Sequence, residues 1–327
     1  MDDRGSWSER GGMTDTPITV HDLPELVLAA PLMLGYWPEQ SVCAVVVDPD
    51  GRVLLIMRWG ADEPEVSVPP PLAERGDAMT VHHVAYVGSS GGGDAPSWDE
   101  PYGMRVSGRP ALVACREGAD VRFRATTGGE SGWQRITAIE IATTARRWAR
   151  PAWLANREEY TRDIDDDPVL REQVSARLAV LSGAIDEGQR EAAIARVLAT
   201  LASGPMDATA LADTLVALQD TRVRDTVLWE FLQHDPGEWD AMADRLATAV
   251  SGAPPERLAP PATLLAILRW QTGDGSRAAA AVDRALAADP GYTLAGLVLQ
   301  CLLTGMHPLA WREGMAGLTR EECRRSA

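Results

Sequence analysis

Residues 262–303 constrain the fold of this chain more than any other stretch, because three helical patterns are packed into them with only two short breaks. Gly273-Asp274-Gly275 is a turn signal. Behind it Ala278, Ala281, Val282, Ala285 and Leu286 follow i, i+3, i+4, i+7, i+8 spacing, which places small and apolar side chains on one face of a helix. Asp289-Pro290-Gly291 stops that helix, since Pro290 has no amide hydrogen to continue it and Gly291 can take the positive φ of a closing residue. A helical hairpin over residues 273–292 is expected.

Upstream, the same spacing recurs. Leu170, Val174, Leu178 and Leu181 form one stripe; Ile194, Val197, Leu198 and Leu201 form the next. Leu211, Leu215 and Leu218, then Val227, Leu228, Phe231 and Leu232, then Trp239, Met242, Leu246 and Val250 continue the series to Leu294, Leu297, Val298 and Cys301. Breaks such as Ser203-Gly204-Pro205 and Ala253-Pro254-Pro255 separate them. An all-α carboxy-terminal domain follows.

The first part of the chain has a different period. Asp22 with Glu25 three residues on imitates a capping box ahead of an apolar helix that Pro31 is expected to kink or end. SVCAVVV at residues 41–47, a DPDG turn and RVLLIMRW at residues 52–59 read as a β-hairpin, and TVHHVAYV at residues 80–87 as a third strand. Residues 109–115 and 121–126 suggest a second hairpin. Helical spacing resumes near Ile139, with Trp148 and Trp153 flanking Pro151 and an acidic connector ending at Pro168. The fold class is therefore α+β: a mixed α/β amino-terminal domain with a small sheet, then an all-α helical domain. Its parts are a disordered tail over 1–16, the α/β domain over 17–150 and a linker helix with acidic connector over 151–168. The helical domain over 169–310 and a tail over 311–327 complete it. At 327 residues, two cores suit the length better than one, because single cores stop growing near about 250 to 300 residues.

Composition excludes several chemistries. All 31 basic residues are arginine, so the lysine of a P-loop, of a kinase strand or of a Schiff base is missing. The net charge of −16 weighs against nucleic acid, whose affinity comes from clustered cations. The short groups Arg146, Arg147, Arg150 and Arg320, Arg324, Arg325 read as solvated helix faces. Cys43, Cys115, Cys301 and Cys323 are widely spaced and show no CxxC pattern, which fits a reducing, cytoplasmic setting. The first dozen residues lack the order of a signal peptide, and the apolar run at residues 26–34 is shorter than the ~20 residues that span a bilayer. No membrane association, cofactor or metal is expected.

Four constellations invite a chemical reading. Gly88-Ser89-Ser90-Gly91-Gly92 satisfies GxSxG after a strand, yet Gly93, Pro96 and Pro101 follow where a nucleophile elbow needs a helix, so Ser90 reads as part of a loop; His234 or His307 would have to serve it as base. His82 and His83 are adjacent on a strand and point to opposite faces, so they cannot chelate one ion. Asp163, Asp165, Asp166 and Asp167 lack the glycine and closing glutamate of a calcium loop and read as a connector capping the Pro168 helix. The turn Tyr36-Trp37-Pro38-Glu39-Gln40-Ser41 combines two aromatics with a carboxylate and a hydroxyl, the mixture found in ligand pockets. Arg58 and the pair Arg157 and Glu158 could complete such a site; the alternative is that Tyr36 and Trp37 pack the first helix onto the hairpin.

Two resemblances follow from these residues. With Pro290 on the last proline of a tetratricopeptide repeat, Ala278 and Val282 fall on its A-x3-F pair and Leu265 on its leucine, whereas Asp244 and Glu256 show that no second copy precedes it. The longer resemblance rests on DLPELVLAAPLMLGYWPEQSVCAVVV at residues 22–47, NREEY at residues 156–160, and the stretch from Trp270 through GDG and DRALAADPGYTLA to Pro308. These resemble an actinobacterial family catalogued as domain of unknown function 4192. Where that family follows its second strand with Arg-x-Asp-Leu-Pro, this chain has Arg58-Trp59-Gly60-Ala61-Asp62, so only Arg58 carries over. The resemblance brings relatives and no mechanism. The expected function is a cytoplasmic binding or scaffold protein that meets a protein partner through its helical domain, with its 11 tryptophans as interface anchors. The alternative is an enzyme or small-ligand sensor with a site between the domains near the LGYWPEQS turn. Oligomeric state is left open.

Overall fold

The computed structural model describes residues 18–60, 79–87, 111–125, 132–150, 153, 156–181 and 185–325. Between Tyr160 and Thr161 the chain divides into two compact units.

In the first unit Asp22 accepts from the Glu25 amide at 2.8 Å and Glu25 accepts in turn from the His21 amide at 2.8 Å, which starts helix α1, Leu23–Leu34. Pro31 does not end this helix. It runs on to Leu34 and closes at Gly35, whose φ of +80° is the left-handed conformation open to glycine. The proline still leaves the carbonyl of Val27, four residues back, without its helical donor. The Tyr86 hydroxyl donates to that carbonyl at 2.6 Å.

The sheet has six strands in the order β2-β1-β3-β4-β5-β6: β1 Ser41–Val47, β2 Val53–Gly60, β3 Thr80–Val87, β4 Ala111–Glu117, β5 Asp120–Ala125 and β6 Gln134–Ile136. Both expected hairpins form, with Val42 opposite Trp59 in one and Ala114 opposite Phe123 in the other. Only β3 and β4 are parallel. The strand β6 is an addition that periodicity misses at three residues. Every residue of β1 is buried, as its unbroken apolar run requires. Cys43, Val45 and Val47 face one core with Val84, Tyr86, Leu112, Phe123 and the apolar side of α1. Val42 and Ala44 face a smaller cluster with Trp59 on the other side. Helix α2, Ala138–Arg147, follows a capping box at Thr137 and Glu140, and its Ile141 and Ala145 join the larger core. The single turn α3, Arg157–Tyr160, ends the unit.

The second unit is all-helical among the described residues. After a 3-10 turn at Arg162–Ile164 come α4 Pro168–Leu178, a second such turn at Glu187–Gln189, α5 Arg190–Ala202, α6 Ala208–Ala217, α7 Thr221–Gln233 and α8 Pro236–Ser251. Then follow α9 Pro255–Gln271, α10 Gly275–Ala288, α11 Thr293–Leu303, α12 Pro308–Met315 and α13 Arg320–Arg325. Gly273 has a φ of +82°, and Asp274 accepts from the Arg277 amide at 3.0 Å to cap α10. Ala278, Ala281, Val282 and Ala285 are buried, as their spacing requires. Gly291 differs from expectation: it is not among the positive-φ glycines, and its amide donates to Asp289 at 3.0 Å, so the aspartate side chain makes the turn instead.

Helix α9 begins seven residues earlier than its stripe suggests and carries Pro260 and Pro261 inside it. The carbonyl of Arg257, four residues before Pro261, accepts from the Gln219 amide at 3.3 Å. Residues 311–327, expected as a tail, contain most of α12 and all of α13. Arg320 bonds Glu191 at 2.9 Å and Glu230 at 2.6 Å, and Arg324 bonds Glu191 at 3.0 Å. Two of the arginines read as solvated thus tie α13 to α5 and α7, and the two guanidinium groups lower the Glu191 carboxyl to about 2. No helix of the described residues is long and apolar enough to cross a membrane.

Candidate functional site

The LGYWPEQS turn links the end of α1 to the start of β1, so its geometry follows from both. After Gly35 the chain buries Tyr36 and Trp37, each 2% exposed. The Tyr36 ring lies 5.7 Å from that of Tyr160, and Trp37 stands edge-on to Tyr86 at 5.1 Å and tilted to Trp153 at 5.9 Å. Tyr160 rests so closely on Gly35 that a Cβ there would run into its ring. Sequence reasoning missed Tyr86, Trp153 and Tyr160 as members of this cluster. The NREEY segment held a signal for Tyr160, but pairing it with Gly35 depends on contacts far apart in the chain.

The polar candidates are arranged differently. Gln40 takes a φ of +51°. Ser41, buried, donates its hydroxyl to the Glu39 carbonyl at 3.0 Å, while the Glu39 residue is exposed. Arg58 is exposed on β2 opposite Cys43, hence on the face that Ser41 shares. Arg157 is half-buried and Glu158 exposed on α3. The structure therefore brings Tyr36, Trp37 and Ser41 together at the turn and sets Arg58 one pleat step along the sheet.

Burial dominates the electrostatics. It raises the Tyr86 phenol well above its ordinary value and pushes the Cys43 thiol up to about 12 against the opposing pull of Arg58. Cys43 is thus a neutral thiol at physiological pH, without nucleophilic character. One polar atom stands out. The Trp37 Nε1 is buried and meets no acceptor among the described residues.

The other constellations resolve locally. His82 and His83 lie on opposite faces, with His83 buried and edge-on to Trp59 at 5.9 Å. Asp163 bonds the buried Arg269 at 3.1 Å, Asp166 bonds Arg171 at 2.9 Å and also Arg284, and Asp167 caps α4. The connector is therefore ion-paired as well as capping. His234 bonds Glu238 at 2.8 Å, and His307 caps α12 by accepting from the Leu309 amide. Ser90 and the GxSxG run lie outside the described residues, as does the expected tail over 1–16. Among the described residues no group of three or more His, Cys, Asp or Glu is placed to hold a metal ion.

Against known families, the model described as Domain of unknown function (DUF4192) matches residues 142–309, just over half of the chain. The chain belongs to this family. The DUF4192 match runs from α2 to the start of α12, so it includes NREEY and the GDG hairpin, while the LGYWPEQS turn and all six strands precede it. No curated protein and no solved structure matches the chain.

Proposed function

We propose that this DUF4192 member is a binding protein that meets a protein partner through α11 and the segment after it. The observation that supports this is the exposure of α11. Its sequence TLAGLVLQCLL holds no charge, yet only Ala295 and Val298 are buried, and Leu297 and Leu303 stand 58% and 61% exposed. Met306 and Leu309, in the segment that follows, are exposed as well. Exposed apolar side chains that gather in one segment cost solubility and are retained where a partner covers them. The four cysteines are free thiols, which supports a reducing, cytoplasmic compartment.

The test is capture from cells with the tagged full chain, comparing wild type with a Leu297→Ser, Leu303→Ser double variant. A stoichiometric protein recovered by the first and lost from the second is expected. Equal recovery by both, or no partner alongside a copurifying metabolite, would overturn the reading.

A second reading, a small-ligand or enzyme site at the LGYWPEQS turn, draws support from the unpartnered Trp37 Nε1. A ligand that accepts from this donor would quench or shift tryptophan fluorescence, and Trp37→Phe would abolish that change. Titration of cell metabolite fractions without any Trp37-dependent signal would sink it.

A further inference from the structure

The second unit contains a cavity of about 240 Å³ between α5, α6 and the turn that joins them. Its walls are small side chains, among them Ala193, Ala210 and Ala217. Two threonines also line it. Thr214 is 2% exposed and Thr200 8% exposed. Outside the helical ladder the Thr200 carbonyl accepts from Arg245 and the Thr214 carbonyl from the Leu218 amide. A threonine hydroxyl can donate once and accept twice, so both residues can bond a polar molecule that enters the cavity.

Two opposite charges sit on the same cavity. Arg196, exposed on α5, and Asp213, half-buried on α6, both line it, and neither forms an ion pair with the other or with any described group. Elsewhere in this unit arginines and carboxylates facing one space do pair, as Arg190 does with Asp220 at 2.9 Å. A guanidinium and a carboxylate that line one small cavity without pairing are complementary to a molecule carrying both charges.

We infer that this cavity binds a small zwitterion of amino-acid size, its carboxylate on Arg196, its ammonium on Asp213 and its polar atoms on the Thr200 and Thr214 hydroxyls. The volume sits just below the range of drug-sized pockets, about 300 to 1,000 Å³, which favours a ligand of few heavy atoms. The site is separate from the α11 surface proposed for a protein partner, so either can fail without the other.

The test is thermal shift of the purified full chain against the twenty L-amino acids at about 10 mM, with calorimetry on any that raise Tm. At least one hit is expected. Its N-acetyl and methyl-ester forms, each lacking one charge, should bind at least about tenfold more weakly. Arg196→Gln and Asp213→Asn, both at the solvent-reached rim, should weaken the hit to the same extent, and Thr214→Val by a smaller factor. Far-UV circular dichroism of each variant checks that it folds. Absence of any hit, or a hit indifferent to both charge variants, would overturn the proposal.

Discussion

Helices α1 and α9 carry prolines where a helix should fail, and in each a side chain from elsewhere replaces a missing donor. In α1 the substitute is the Tyr86 hydroxyl, 2.6 Å from the Val27 carbonyl and fully buried. In α9 it is the Gln219 amide, 3.3 Å from the Arg257 carbonyl and partly buried. Pro31 orphans one carbonyl in a closed core, whereas Pro260 and Pro261 orphan two near the start of a longer helix. A proline therefore reports where a helix needs outside help, and its cost depends on how well water is kept from the carbonyl.

The largest effect expected from breaking this comparison is in Tyr86→Phe. The Val27 carbonyl would lose its donor without gaining water, a loss of about 1–3 kcal/mol for a buried unsatisfied group. Chemical denaturation of the variant should show it, and a change of no more than a few tenths of a kcal/mol would mean that the helix tolerates Pro31 unaided. Gln219→Leu should cost less, about 0.5–1.5 kcal/mol, because the bond is longer and its surroundings are wetter. If the two variants proved equal, burial would not be what separates the two sites.

A smaller, pH-dependent contrast follows from the charges around α13. Glu191 has a folded value of about 2, depressed by its bonds to Arg320 and Arg324, against about 4.3 for an unperturbed glutamate. A depressed carboxyl stabilises above its unfolded value and loses that contribution as pH falls through the folded one, so attachment of α13 should weaken between about pH 4.3 and pH 2. Hydrogen exchange across α13 at decreasing pH would follow it, and Glu191→Gln should flatten the profile. The neutral bond from Tyr86 to Val27 should show no such dependence.

The smallest change is a gain. Ala149 holds a φ of +51° at the end of α2, which costs an L-residue about 1–2 kcal/mol. Glycine removes that strain but loses about 0.5–1 kcal/mol of chain entropy. Ala149→Gly should therefore raise stability by roughly half a kcal/mol, read as a small rise in Tm.

The helical unit was the more legible of the two. Ala278, Ala281, Val282 and Ala285 are spaced for one face, and they are buried together, because helix spacing is a local property. Pro260 and Pro261 hid the first turns of α9 for the same reason: a local rule forbids them, and Gln219, from the turn between α6 and α7, supplies a donor to one of the carbonyls they strip. At the candidate turn the aromatic pair Tyr36 and Trp37 was legible, but not the rings that meet it. Tyr86 and Tyr160 lie far away along the chain and are brought to it by strand pairing and by the course of the chain after α2.

What the amino-acid sequence determined by itself were features set by near neighbours. The α+β class, both hairpins, the capped start of α1 and the GDG turn all depend on dihedral preference and side-chain period. Tertiary structure alone decided the strand order, the parallel meeting of β3 with β4, the donors that rescue the proline helices, and the cavity that gathers Arg196, Asp213 and two threonines. All but the cavity, which forms between two successive helices, depend on loops closing over long separations, and no local pattern records which distant partner will fill a vacant bond.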